Sequence, residues 1–169
     1  MRIFCSIFQS LDGYIATQKH ETDWIGFPFP QSTSGVEAVI MGRNTFEVVV
    51  QEKNWPYDVP VFVLSNSLSP VPAHLYGKME IVCGDLVGII RELEREGFNN
   101  IRIDGGKTIR SFLALGLIDE MIIYCIPVLL GSGIPLFGGL DKMMKLNHIS
   151  TEVIDGSVVK SIYRREKQS

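Results

Sequence analysis

The chain has 169 residues, of which 46% are hydrophobic and 21% are charged, and its formal net charge at pH 7 is −3. This composition is typical of folded globular proteins and argues against a disordered chain, while the scattered Lys and Arg residues argue against nucleic acid as a partner. The first residues mix apolar side chains with Cys5, Ser6, Gln9 and Ser10, a pattern that predicts neither a signal segment nor a membrane span. We expect one domain over residues 1–169, located in the cytoplasm.

The cysteines and histidines indicate no metal and no disulfide. Cys5, Cys83 and Cys125 are odd in number, far apart and set in apolar runs, so we predict free, buried thiols. The three histidines have no second His or Cys at a spacing that would bind a metal. We therefore predict no metal site.

Short β-branched segments alternate with helical patterns along the chain, which is typical of an α/β fold. Strands are predicted at residues 2–8, 38–41, 59–64, 79–82, 101–103, 121–129, 148–154 and 158–164. Helices are predicted at residues 45–51, 86–96 and 108–115. The last two strands flank Asp155-Gly156, a strong hairpin signal. The predicted fold is a mostly parallel central sheet that ends in a C-terminal antiparallel hairpin.

The turn Gly105-Gly106-Lys107-Thr108 joins the fifth predicted strand to an amphipathic helix. Backbone N–H groups at a helix start attract anions, and paired glycines allow a phosphate to approach the main chain. Ligands of open α/β sheets lie at the carboxyl ends of strands. Taken alone, the segment is more consistent with an ordinary tight turn between a strand and a helix.

A second turn of the same kind, Gly42-Arg43-Asn44-Thr45, follows the second predicted strand. Arg43 offers a charge, and Thr45 offers a hydroxyl group and a backbone amide. The alternative is a helix capped by Asn44 or Thr45, with Arg43 in solvent. Together the two turns favour a dinucleotide, whose single diphosphate two helix starts can share.

The third predicted strand ends in Ser65-Asn66. These polar residues could meet a ribose or its 2′-phosphate, or they could form an ordinary turn at the strand end. This segment does not decide between NADPH and NADH.

Several segments in this order resemble the dihydrofolate reductase superfamily: VIMGRNTFE, VFVLSN and RIDGGKTIRSFL. Others resemble its riboflavin-biosynthesis branch, the reductase domain of the bifunctional deaminase/reductase: SLDGYIA, TDW and LIDEMIIYCIPVLLGSGIPLF. The resemblance covers residues 3 to about 137 and suggests a stand-alone, single-domain member. It implies a dihydrofolate reductase-like three-layer α/β/α fold and a reductase that takes hydride from NADPH. The implied cofactor contacts are Phe8, Trp24, Gly42, Arg43, Thr45, Ser65, Gly105, Gly106, Lys107, Thr108 and Ile109.

The implied substrate contacts are Thr22 and Asp104, and Asp104 is also the candidate catalytic residue. Asp104 could anchor the substrate or donate a proton as hydride arrives. It could instead cap the following helix by accepting from the Lys107 amide. Folate reductases carry an acid where this chain has Phe29, which argues against dihydrofolate as the substrate.

The chain departs from the riboflavin branch where the substrate phosphate would bind. No Arg lies between Trp24 and the strand that begins at Ala38, and the segment after Thr45 lacks the acid-rich, Arg-ended loop of that branch. A phosphorylated pyrimidine would thus lack its expected cations. We predict hydride transfer to a C=N or C=O of a small substrate, as in a 5-amino-6-(5-phosphoribosylamino)uracil reductase. The alternatives are a true dihydrofolate reductase and a non-catalytic nucleotide sensor.

Four further expectations concern loops and assembly. The nicotinamide should lie over residues 8–10, with the loop of Tyr14 and Trp24 closing above it. Asp12 is expected to form only a turn. The segment Gly131-Ser132-Gly133 is expected to be a bulge or a loop, either bordering the substrate or purely structural. The apolar segment 117–137 should be partly covered by a second subunit in a homodimer.

Overall fold

Within residues 1–27, 35–67 and 70–166, which the structure describes, the computed structural model contains ten β-strands and three α-helices. The strands are β1 Arg2–Ser10, β2 Tyr14–Ala16, β3 Ala38–Gly42, β4 Val61–Leu64, β5 Met79–Val82, β6 Asn100–Asp104, β7 Glu120–Ile126, β8 Ile134–Pro135, β9 Leu146–Ile154 and β10 Val158–Arg165. The helices are α1 Arg43–Val49, α2 Leu86–Arg95 and α3 Gly106–Ala114, and short 3-10 helices span Asp23–Ile25 and Ala73–Leu75.

Eight strands form one sheet in the order β5-β4-β3-β6-β1-β7-β10-β9. The first six in this order are parallel, and β10 and β9 are antiparallel to their neighbours. The predicted mostly parallel sheet with a C-terminal antiparallel hairpin is confirmed. Asp155, at the hairpin turn, has a φ of 48° and is followed by Gly156 with a φ of 73°, as a two-residue turn requires.

The helices cover both faces of the sheet, which confirms the three-layer α/β/α arrangement. Helices α2 and α3 pack on one face, where Leu93 and Phe112 meet Ile40 and Ile103 of the central strands. Helix α1 packs on the other face through Phe46. We call this second side the α1 face. The central strands therefore lie between two separate apolar cores, one on each face of the sheet. Packing from both sides holds the carboxyl ends of these strands in place.

The strands shift by a few residues from their predicted bounds, for local reasons. Strand β7 ends at Ile126 rather than at residue 129, because Pro127 has no N–H to continue the ladder and the chain turns there. Helices α1 and α3 begin two residues early, at Arg43 and Gly106, since the two glycine turns themselves form the first helical turn. Strands β2 and β8, which form a separate small antiparallel sheet, were not predicted.

The cysteine prediction is corrected at one position. All three thiols are free, with Cys5 buried and Cys125 partly buried, but Cys83 is exposed. Cys83 directly follows β5, which is the edge strand of the sheet, so no neighbouring strand covers it. No helix in the described part of the chain is long and apolar enough to cross a membrane.

Candidate active site

The two predicted glycine turns lie side by side at the carboxyl edge of the sheet. They follow the neighbouring strands β3 and β6, in which Met41 is paired with Asp104. A β-carbon at Gly42 would lie 2.7 Å from the Thr108 Oγ1, and one at Gly105 would collide with the Thr45 hydroxyl group. Each turn therefore packs a threonine against the other turn's glycine. We call these two adjoining helix starts the shared cradle.

The start of each helix is free of side-chain caps. The N-cap residues are Gly42 and Gly105, and neither helix start has a side-chain cap hydrogen bond. Capping by Asn44, Thr45 or Asp104, the alternative raised from the sequence, is therefore wrong. Gly105 has a φ of 89°, a conformation that side-chain-bearing residues rarely adopt. Backbone N–H groups of both first turns thus remain available for an anion.

The available backbone N–H groups of the second turn belong to Gly106, Lys107 and Thr108. The next amide, that of Ile109, donates to the Gly105 carbonyl oxygen at 2.9 Å, and the Ile109 side chain is only 1% exposed. Lys107 is exposed, which leaves its charge free to approach a phosphate. The expected Ile109 contact stays a prediction.

Arg43 links the first turn to the end of β4. Its Nε donates to Glu47 at 2.5 Å, and one terminal nitrogen donates to the Ser67 hydroxyl group at 2.7 Å. The Ser67 amide in turn donates to the Ser65 Oγ at 3.2 Å. The predicted third segment, at Ser65, therefore lies beside the glycine turns, at the same edge of the sheet.

Asp104 ends β6 on the α1 face and belongs to a cluster that the sequence did not reveal. Its Oδ2 accepts one hydrogen bond from the Tyr57 hydroxyl group at 3.1 Å and another from Arg102 at 3.0 Å. Burial raises the pKa of the Asp104 carboxyl, although Arg102 and Tyr57 oppose the rise. Burial and the Asp104 charge likewise raise the pKa of the Tyr57 phenol. A polar cluster with a buried acid thus lies directly beside the second glycine turn.

An aromatic cluster covers the end of β1 on the same face. The Phe8 ring lies 4.9 Å from that of Tyr124 and 5.9 Å from that of Phe27, measured between centroids. Trp24 packs against this cluster, and its indole N–H donates to the Glu21 carbonyl oxygen at 3.2 Å. Phe8 and Trp24 are thus brought together near the predicted nicotinamide position.

Thr22 is the second predicted substrate contact. Thr22 is exposed, and its carbonyl oxygen accepts from the Ile25 amide at 3.1 Å, at the start of the 3-10 helix. No contact joins Thr22 to Asp104 among the described side chains. Phe29 lies outside the described residues.

Strand β2 packs on the second glycine turn. A β-carbon at Gly106 would collide with the Ile15 side chain of β2. The partner strand β8 is held to α3, because Arg110 donates to the Pro135 carbonyl oxygen at 2.7 Å. The small β2–β8 sheet therefore forms one wall beside the shared cradle.

Asp12 connects two loops at the end of β1. Its carboxylate accepts from the Ser10 hydroxyl group at 2.6 Å and from the amides of Leu130 and Gly131 at 3.2 and 2.8 Å. The Ser10 hydrogen bond is the main cause that lowers the Asp12 pKa. Asp12 lies in the predicted turn, and the segment Gly131-Ser132-Gly133 is a loop tied to that turn.

Comparison with protein families identifies the chain. A family model described as the RibD C-terminal domain matches residues 2–160, nearly the whole sequence. The chain belongs to the RibD C-terminal domain family. Among its relatives, the uncharacterized protein YwjB of Bacillus subtilis is 34% identical over 147 residues, which cover 81% of this chain and 83% of YwjB. The riboflavin biosynthesis protein RibD of Escherichia coli is 38% identical over 63 residues, covering 35% of this chain and 17% of that protein.

Solved structures show the same fold. A "putative riboflavin biosynthesis protein" from Shewanella sp. PV-4 superposes with a TM-score of 0.90 at 42% identity, covering 99% of this chain and 100% of that one. A diaminohydroxyphosphoribosylaminopyrimidine deaminase/5-amino-6-(5-phosphoribosylamino)uracil reductase from Thermotoga maritima superposes with a TM-score of 0.74 at 15% identity. That match covers 97% of this chain and 56% of the bifunctional protein. A dihydrofolate reductase from Enterococcus faecalis gives a TM-score of 0.67 at 12% identity, covering 98% and 97% of the two chains.

These comparisons confirm the predicted fold and support only the broad class of the predicted function. The fold is dihydrofolate reductase-like, and the RibD C-terminal domain family supports a reductase-like function related to the riboflavin pathway. The family also supports an oxidoreductase as the class of enzyme.

Proposed function

We propose that this protein is an NADPH-dependent reductase that transfers hydride to a C=N or C=O carbon of a small, pyrimidine-type substrate. The observation that carries the proposal is the mutual packing of the two glycine turns. Each helix start is uncapped, and the two turns pack so closely that a β-carbon at Gly42 or Gly105 would collide with a threonine of the other turn. In this proposal, residues 1–169 act as one reductase domain.

The cofactor diphosphate would bind in the shared cradle. Gly42 and Gly105 let the two turns approach each other closely, so Thr45 and Thr108 offer hydroxyl groups beside the uncapped helix starts, and Gly106 begins the second of these helices. Bound NADPH supplies the hydride. The remaining proposed cofactor contacts are Phe8, Trp24, Arg43, Ser65, Lys107 and Ile109.

Asp104 is the proposed catalytic and substrate-binding residue, with Thr22 as a second proposed contact. Asp104 is largely buried beside the cradle, and burial raises its carboxyl pKa. When protonated, this carboxyl group could release its proton to a substrate nitrogen or oxygen as hydride arrives. An ionised Asp104 would instead anchor an N–H group of the substrate.

The charges around Asp104 favour an uncharged substrate over a phosphorylated one. Arg102 is paired with Asp104, and Arg43 is paired with Glu47. The guanidinium group beside Asp104 is therefore already paired with a carboxylate, so a substrate phosphate at Asp104 would gain little from the Arg102 charge.

A turnover assay tests the proposal. Loss of NADPH absorbance should be followed with ribosylaminopyrimidines in phosphorylated and dephosphorylated form, small imines, small aldehydes and dihydrofolate. We expect turnover of an uncharged C=N or C=O compound, and strong loss of that turnover in Asp104→Asn. Rapid turnover of dihydrofolate would instead identify a true dihydrofolate reductase. Saturable NADPH binding without turnover on the whole panel would favour a nucleotide sensor.

We also propose that the protein acts as a cytoplasmic homodimer. The edge strand β9 is exposed along almost its whole length. Val153 on this strand is 63% exposed, and the nearby chain segments present Leu129 at 72% and Met143 at 82%. Exposed apolar side chains of this size are typical of surfaces that another protein covers. A second copy of this chain, paired along β9, would cover them.

A further inference from the structure

Asp104 receives both of its hydrogen bonds on one oxygen. The Tyr57 hydroxyl group and the Arg102 guanidinium group each donate to Oδ2, at 3.1 and 3.0 Å. Among the residues that the structure describes, none donates to Oδ1. A carboxylate oxygen can accept about two hydrogen bonds. Oδ2 is therefore saturated, and Oδ1 is available to a ligand.

The two donors hold the carboxyl group from different directions. Arg102 and Asp104 are two residues apart on β6, so the pleat of the strand points both side chains to the α1 face. Tyr57 comes from the loop after α1, and its ring lies 5.6 Å from the Arg102 Cζ. The Arg102 and Asp104 side chains are only 14% and 16% exposed. Rotation of the Asp104 carboxyl group would break both bonds inside a largely buried cluster.

We infer that Tyr57 and Arg102 are positioning residues that fix the Asp104 carboxyl group so that Oδ1 accepts an N–H bond from an uncharged substrate. The inference rests on the proposed reductase function and adds the chemistry of the substrate group that meets Asp104. A substrate carboxylate or phosphate at Oδ1 would be repelled, because the Arg102 charge is already used at Oδ2. A neutral amide or ring N–H group can donate a hydrogen bond to Oδ1 without this repulsion.

The first test measures the Asp104 carboxyl group directly, without substrate. The variant Tyr57→Phe keeps the ring and removes the hydroxyl group, and Tyr76→Phe is the matched control because Tyr76 is 68% exposed. Since the Tyr57 hydrogen bond lowers the Asp104 pKa, Tyr57→Phe should raise it, as followed by the carbon-13 carboxyl resonance of Asp104 against pH. Tyr76→Phe should titrate like the wild type. An unchanged Asp104 titration in Tyr57→Phe would overturn the positioning role.

The other groups that face Asp104 do not obscure this titration. An arginine guanidinium group is not deprotonated in proteins. The Cys5 thiol on β1 senses the Asp104 charge, but burial raises the pKa of Cys5 to about 12. The pKa of the Tyr57 phenol is also raised, so neither Cys5 nor Tyr57 changes its charge near neutral pH.

The second test asks what Oδ1 binds. Uracil carries two ring N–H groups, and 1,3-dimethyluracil carries none, so the pair isolates the N–H donor. In the NADPH-loaded protein, we expect uracil to bind at least about tenfold more tightly than 1,3-dimethyluracil, as expected for one hydrogen bond to a charged acceptor. The preference should shrink in Tyr57→Phe and in Arg102→Met, and Tyr76→Phe should retain it. Equal affinity of the two compounds, or no binding of either, would overturn the inference.

The two proposals fail in different ways. If wild-type protein does not bind NADPH, the proposed function fails, while the Asp104 titration in Tyr57→Phe still reports whether Tyr57 controls that carboxyl group. If NADPH binds and Tyr57→Phe behaves like Tyr76→Phe in both tests, the positioning role fails alone. Arg102→Lys should recover part of the uracil preference that is lost in Arg102→Met. If Arg102 only filled space, the two variants should behave alike.

Discussion

Gly42 and Thr108 belong to different turns, yet a β-carbon at Gly42 would lie 2.7 Å from the Thr108 Oγ1. Gly42 ends β3, whereas Thr108 lies in the first turn of α3 and is only 7% exposed. The shape of the proposed phosphate cradle is therefore set jointly by two segments that are 66 residues apart in sequence, the difference between positions 42 and 108.

Gly42→Ala should destabilise the protein by about 1–3 kcal/mol, because the new methyl group overpacks a buried contact. Adding Thr108→Ala should recover part of the loss by removing the hydroxyl group. Gly138→Ala is the control, since a β-carbon there meets nothing within 4 Å. Urea unfolding without cofactor measures the effect. If Gly42→Ala unfolds at the same urea concentration as Gly138→Ala, the two turns do not pack as described.

Arg43→Ala and Lys107→Ala should each weaken NADPH binding by about tenfold at low salt, because each removes a cation beside the cradle. The dependence of the dissociation constant on salt should become less steep in both variants. Lys78→Ala is the control. Lys78 directly precedes β5 and so lies at the amino ends of the parallel strands, whereas the cradle lies at their carboxyl ends. Fluorescence titration with NADPH gives all three values. A loss of affinity in Lys78→Ala that matched the other two would point to general charge rather than to the cradle.

Glu120 should make stability depend on pH. Burial raises the pKa of its carboxyl, but hydrogen bonds from Arg2 and Arg164 outweigh burial and lower the pKa below the usual glutamate value. A lowered pKa in the folded state means that the stabilisation is complete above the pKa of the unfolded chain. It is lost as pH falls through the lower pKa of the folded state.

Glu120→Gln should therefore lower the free energy of unfolding most near neutral pH. The loss should become progressively smaller as the pH falls below the ordinary glutamate pKa. Urea midpoints of wild type and variant, measured from pH 7 down to pH 3, report the difference. The exposed ion pair between Lys160 and Glu152 provides a control through Glu152→Gln, for which we expect a small effect throughout. A difference between wild type and Glu120→Gln that stayed constant over this range would contradict the assignment.

Val153→Glu should separate the proposed homodimer into monomers, because it places a charge on the exposed face of β9. Light scattering at several protein concentrations measures the mass. Leu115→Glu, at an exposed apolar position just beyond α3, should leave the mass of the wild type unchanged. A wild-type protein of monomer mass at every concentration would remove the homodimer.

Local patterns were sufficient to predict much of the fold. The β-branched strands and the amphipathic helix α2, capped where Asp85 accepts from the Gly88 amide at 2.8 Å, have strong signals within a few residues. The two glycine turns could be found for the same reason, because a strand, a glycine and a helix follow one another in the chain. Their direct contact could not, since it depends on β6 lying beside β3.

The parts that the sequence did not reveal depend on contacts over long separations. Strands β2 and β8 have three and two residues, and they pair across more than a hundred positions. Tyr57 lies in a segment without helical or strand periodicity, and its partner Asp104 is 47 positions away. Arg102 could have been noticed in the sequence. It alternates with the apolar residues Ile101 and Ile103, which are buried, and a second charged residue, Asp104, follows two positions later. Such a pair on one face of a central strand indicates a polar cluster.

The side chains of Arg102 and Asp104 lie on the same face of β6, and this limits how the site can evolve. Replacing Asp104 by an apolar residue would leave the guanidinium group without its carboxylate in a largely buried position, which costs about 3–5 kcal/mol for a buried pair. That is a large fraction of the roughly 5–15 kcal/mol by which most proteins are stable. A change of substrate through position 104 alone would thus be selected against. Relatives with an apolar residue at this place should also have lost the arginine two residues earlier, so the two positions should change together across the family.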